Sequence, residues 1–97
     1  MIDADLVAWT YSEGGVPIAT LAEWHELPKT EIAKCLPLAE FLKVWDSELT
    51  PQEKAQLIDT FIQKKNAFIK EARALLPREE LSRDRTYKRL MEMFPNN

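Results

Sequence analysis

Glycine is nearly missing from this chain: Gly14 and Gly15 are the only two in 97 residues. From residue 16 onward no glycine is available for a primed hairpin turn or a bulge, which weighs against a β-rich fold. Cysteine is scarcer still. Cys35 stands alone, so an intramolecular disulfide and a cysteine-based zinc site are both excluded. His25 is the sole histidine, so no metal site can draw on a second one. Cys35 lies ten residues further on, on a different expected helix, and reads as a small core residue rather than the partner of a Cys–His pair. Asp3 and Asp5 read as surface capping residues. The Gly14-Gly15 pair is not followed by lysine, so no phosphate-binding loop is present. No catalytic residue, metal ligand or cofactor is expected, and an enzyme is not the expected function. No segment approaches the roughly 18 apolar residues of a membrane span. The opening MIDADL lacks the basic-then-apolar order of a secretory signal. With the lone cysteine, these features point to the cytoplasm.

What is present is helical punctuation. The hydrophobic share is 45%, enough for a core, and the length suits one domain. Prolines at 17, 28, 37, 51 and 77 fall where helices would start or stop, and Pro95 follows the last helical pattern. Five or six helices are expected, giving an all-α fold. The first runs over Ala4 to Ser12 with Asp3 as N-cap and an inner face of Ile2, Leu6, Trp9 and Val7, with a short strand over Leu6 to Tyr11 as the alternative. The second covers Pro17 to Glu26 and buries Ile18, Leu21, Ala22 and His25. The third covers Pro28 to Leu36. A fourth starts at Pro37 and carries Leu38, Phe41, Leu42 and Trp45 at i, i+3, i+4, i+7 spacing. Trp9, Trp24 and Trp45 read as core or interface anchors.

Thr50-Pro51-Gln52-Glu53 is a capping box, with Thr at the N-cap, Pro at N1 and Glu at N3. The helical pattern then runs unbroken to Leu76. About 26 residues at about 1.5 Å each make a helix of about 39 Å, longer than the roughly 30 Å width of a small domain. Such a helix projects, kinks or packs against a second subunit. A homodimer joined through Leu57, Phe61, Lys65, Phe68 and Ala72 is therefore expected. Lys65 lies in that apolar stripe and either lays down its stem while its ammonium reaches water or sets register between paired helices. Pro77 ends the helix, and residues 77–85 form either a further helix or a loop. Glu79 and Glu80 would suit the positive end of such a helix. Tyr87, Leu90, Met91 and Phe94 make a last amphipathic stretch, with Pro95 to Asn97 as a frayed end. Two parts are expected, a three-helix unit over 1–46 and the long helix with a C-terminal helix over 47–97.

Residues 15–36, GVPIATLAEWHELPKTEIAKCL, resemble the helix-turn-helix of IclR-type regulators and of the DNA-binding ends of resolvases. Leu21-Ala22 occupies the hydrophobic–alanine place of the first helix, Leu27 the turn, and Ile32 with Cys35 the inward positions of the second. Leu27-Pro28-Lys29-Thr30 is similar to the opening of the recognition helix in IclR-type proteins. Tyr11 to Ile18 resembles the lead-in of resolvases. The sequence departs from the pattern at Glu26, where glycine is usual: either Glu26 accepts a positive φ or the turn is reshaped. By helical stepping, Thr30, Ala33 and Lys34 face outward, flanked by Lys29 and Glu31. The resemblance implies that these five residues meet DNA, with lysine on guanine or phosphate, threonine on a base edge and alanine on a thymine methyl.

Charge complicates that implication. Residues 1–36 hold two basic against six acidic side chains, within a net charge of −3 for the whole chain. DNA-binding domains usually present a basic face. Lys64, Lys65, Lys70, Arg73, Arg78, Arg83, Arg85, Lys88 and Arg89 could supply phosphate contacts, or be neutralised by the interleaved Glu71, Glu79, Glu80, Asp84 and Glu92. Two functions are therefore expected to compete. One is a dimeric DNA-binding regulator or accessory factor. The other is a protein-interaction module, a small inhibitor or adaptor that holds a protein partner with its acidic face.

Overall fold

The computed structural model describes residues 2–93, and all regular structure among them is helical. The expected Phe94 contact and the Pro95 to Asn97 tail lie outside the described residues. Seven helices follow in order: α1 (Ala4–Gly14), α2 (Ile18–His25), α3 (Lys29–Lys34), α4 (Leu38–Ser47), α5 (Pro51–Leu75), α6 (Arg78–Arg83) and α7 (Arg85–Met93). They belong to two compact units, residues 1–60 and residues 61–97, divided inside α5. No described helix is long and apolar enough to cross a membrane.

In the first unit, α1 packs on α2 and α4, and α3 packs on α2 and α4. Its core is Val7, Ile18, Leu21, Ile32, Ala33, Leu36, Phe41, Leu42, Val44, Trp45, Leu49 and Leu57. The Phe41 and Trp45 rings lie 5.9 Å apart on one face of α4, and the Lys54 ammonium sits 5.9 Å from the Trp45 ring. Asp3 caps α1, its carboxylate accepting the Leu6 N–H at 3.1 Å. The expected inner face of α1 is corrected. Val7 is fully buried, whereas Leu6 and Trp9 are 49% and 62% exposed. They lie about 100° and 200° around the helix from Val7, away from the side that α2 and α4 cover.

The α2–α3 turn is closed by two backbone bonds, Leu27 N–H to Ala22 O at 3.0 Å and Glu26 N–H to Glu23 O at 3.2 Å. This is a Schellman closure, and Glu26 takes its left-handed position at φ 55°. A non-glycine residue there costs about 1–2 kcal/mol. Full burial of Ile18 and Leu21 on α2, at about 1.5–3 kcal/mol each, outweighs that strain.

The capping box closes as expected. Thr50 N–H donates to Glu53 Oε1 at 3.0 Å, and Glu53 N–H donates to Thr50 Oγ1 at 3.2 Å. In the second unit, Phe61, Ile69, Ala72, Leu81 and Leu90 are buried, together with Lys65, and α6 packs on α7. Residues 78–83 are helical rather than looped. Asp84 separates α6 from α7 and caps the latter, its Oδ1 accepting the Tyr87 N–H at 2.9 Å.

Candidate functional site

The expected DNA-contacting set begins at α3, a helix of only six residues. Two of its five candidates do not face solvent. Ala33 is fully buried and Thr30 is 9% exposed. Helical stepping places both outward, but α3 is packed by α4 as well as by α2. Lys29 is held inward too. Its ammonium donates to the Glu48 carbonyl at 3.2 Å and lies 3.7 Å from Glu53 Oε1. That leaves Lys34, which is exposed, and the half-buried Glu31, and these two pair with each other at 3.2 Å. Cys35, also half-buried, donates its thiol to the Glu31 carbonyl at 3.4 Å.

Glu48, which the sequence did not single out, organises this region. Pro17 offers α2 no side-chain cap, and the Glu48 carboxylate supplies one from thirty residues away. Its Oε1 accepts the Ile18 N–H at 2.7 Å and its Oε2 accepts the Tyr11 hydroxyl at 3.3 Å. Burial, and then the adjacent Glu48 carboxylate, push the Tyr11 phenol above its ordinary value. An open cleft of about 440 Å3 lies beside this junction, with Lys43 and Pro17 on its walls. Among the described residues, no group of three metal-ligating side chains gathers.

Two large aromatic side chains of the first unit remain in solvent. Trp9 on α1 is 62% exposed and Trp24 on α2 is 64% exposed. Leu6, Trp9 and Glu13 share the outer face of α1. Asp5, Glu13, Glu23 and Glu26 are all exposed on the same two helices or at their ends. Residues 1–60 carry eleven acidic and four basic side chains, a net −7, while residues 61–97 carry five acidic and nine basic, a net +4. The division into units therefore also separates charge.

The expected dimer contacts on α5 differ in exposure. Leu57, Phe61 and Lys65 are fully buried and Ala72 is 6% exposed, so these side chains are already covered within the chain. Phe68 alone of the five is half-buried. Burial lowers the Lys65 ammonium pKa below its ordinary value. Of the expected cationic set, Lys70, Arg73, Arg78, Arg83, Arg85 and Lys88 are exposed, and Lys64 and Arg89 are half-buried. Comparison with protein-family models, curated proteins and solved structures finds no match to this chain.

Proposed function

We propose that this chain is a protein-interaction module, an adaptor or inhibitor that holds a basic partner surface through the outer faces of α1 and α2. The observation that carries the reading is the exposure of Trp9 and Trp24 on the two helices that also expose Asp5, Glu13, Glu23 and, at the end of α2, Glu26. Exposed tryptophans that share a surface with charges of one sign have the composition of a binding hot spot and its rim. The net −7 of residues 1–60 selects a partner with lysine and arginine around an apolar recess.

The second reading is DNA recognition by α2 and α3, on the resemblance of residues 15–36. It relies on Lys34, the exposed cation of α3. In that reading Lys34→Glu abolishes sequence-specific binding without unfolding the protein.

The test is a direct titration of the purified protein against a captured basic partner, over a range of salt. Trp9→Ala and Trp24→Ala each weaken binding by about 2 kcal/mol, roughly thirtyfold, and the affinity falls as salt rises. A partner held equally well by both alanine variants overturns the assignment. Selection from random DNA that enriches a sequence, and loses it with Lys34→Glu, establishes the second reading in its place.

A further inference from the structure

The cations of the second unit are not spread evenly. Asn66, Lys70 and Arg73 recur at i, i+4 and i+7 on α5, which places them on one helical face. They line an open cleft of about 330 Å3 with Ile69. Arg73 also borders a neighbouring cleft of about 360 Å3, whose other walls are Leu76, Arg78, Leu81 and Tyr87. The two clefts thus share one guanidinium and run on from each other. Lys70, Arg73 and Arg78 are exposed, and among the described residues none of the three enters an ion pair.

Of the acidic side chains interleaved with them in sequence, Glu71 and Asp84 lie elsewhere. Among the described residues, neither cleft has a carboxylate in its lining. Glu71 and Asp84 border a different, apolar recess with Phe68 and Leu75, and Asp84 is engaged in capping α7. Folding therefore sorts a mixed sequence into a line of positive charge.

We infer that the paired clefts along Asn66, Lys70, Arg73, Arg78 and Tyr87 bind the phosphate backbone of a nucleic acid. A line of three unpaired cations suits a polyanion with regularly repeated charge better than a single small anion. Asn66 and Tyr87 stand at its two ends and add what phosphate contacts alone lack. The amide is a hydrogen-bond donor and acceptor for sugar or base, and the half-buried phenol ring offers a stacking surface for an unpaired base. The contact is independent of sequence, since its charged groups address the backbone. It is also independent of the proposed protein-binding surface, which lies on α1 and α2.

The experiment is fluorescence anisotropy of the full chain with labelled oligonucleotides of mixed sequence, single-stranded and duplex, over a salt series. Both forms bind at low salt, the single strand more tightly. The logarithm of affinity falls with the logarithm of salt at a slope of about −2 to −3, as three phosphate contacts require. The double variant Arg73→Glu, Arg78→Glu loses tenfold or more in affinity. Arg73→Gln with Arg78→Gln keeps long polar side chains at both positions and shows the same direction of change with a shallower salt slope. Lys34→Glu binds as the parent does. Circular dichroism verifies that each variant is folded. Absence of binding at low salt overturns the inference. So does undiminished binding by folded Arg73/Arg78 variants, loss of binding with Lys34→Glu alone, or equal competition by polyglutamate of matched charge.

Discussion

Glu48 caps α2 across thirty residues of sequence, its Oε1 accepting the Ile18 N–H at 2.7 Å. Ile18 is fully buried, so water cannot readily take over this first-turn donor, one of the four that every helix leaves unsatisfied. The same carboxylate accepts the Tyr11 hydroxyl, and the Glu48 carbonyl accepts from Lys29. One residue thus links α1, α2 and α3. Hydrogen bonds to a charged group are worth about 1.5–3 kcal/mol. Glu48→Ala is expected to lower unfolding free energy by about that amount in urea titrations. Glu48→Gln, which can still accept from Ile18, is expected to lose less.

The Glu53 carboxyl is expected to contribute to the acid limit of the first unit. The Thr50 N–H holds it below its ordinary value of 4.5, and the Thr50 hydroxyl and Lys29 ammonium add to the effect against a smaller opposing influence of burial. A carboxyl with a depressed folded-state pKa contributes stability above its unfolded value and loses it as pH falls through the folded value. Melting temperature should therefore decline as pH drops below 4.5. In Glu53→Gln this part of the decline should be shallower. An identical acid limb in both proteins would show that the capping box does not couple to acid unfolding.

Local signals were legible where a few adjacent residues complete them. Thr50 and Glu53 announce the start of α5, and Asp3 the start of α1, because a cap is satisfied within one turn. At Glu26 the sequence left a positive φ and a reshaped turn both open, and the chain takes the positive φ. What a helix packs against was not legible. Ala33 and Thr30 are buried although helical stepping placed them outward, and α4 packs on α3 as α2 does. Phe61 and Lys65 form a recognisable stripe, but a stripe does not say whether the same chain or a second one covers it. The capping role of Glu48 depends on a contact thirty residues away, and no local pattern encodes that.

Glu26 is a place where the chain can be made more stable. Its φ of 55° strains an L side chain by about 1–2 kcal/mol, and glycine removes the strain while adding about 0.4–1 kcal/mol of unfolded-chain entropy. Glu26→Gly is expected to gain about 0.5–1 kcal/mol net, read as a higher urea midpoint at unchanged slope. The substitution also removes one acidic charge from the rim of the α2 surface. Partner binding in the same variant should weaken only slightly, because a rim charge acts mainly on the association rate.

Lys65 is the other such place, for a different reason. Its side chain is fully buried on α5, and burial lowers its pKa from 10.5. A base with a depressed folded-state pKa loses stability as pH falls from the unfolded value toward the folded one, because the unfolded chain takes the proton first. Below its ordinary value the unfolded lysine takes a proton that the buried site disfavours. Methionine has a similar unbranched length and no charge to desolvate, and replacing buried charges with apolar side chains of like volume is often stabilising by about 1–4 kcal/mol. Lys65→Met should raise the melting temperature at neutral pH. Its advantage should narrow as pH rises through 10.5, because the unfolded lysine then loses its proton as well. A lower melting temperature for Lys65→Met across this range would mean that the ammonium's own contacts outweigh its desolvation. The same variant bears on oligomerisation, because a lysine that sets register between paired helices would change the sedimentation coefficient when replaced. A side chain covered within its own chain leaves that coefficient as it was, and that is the expected result.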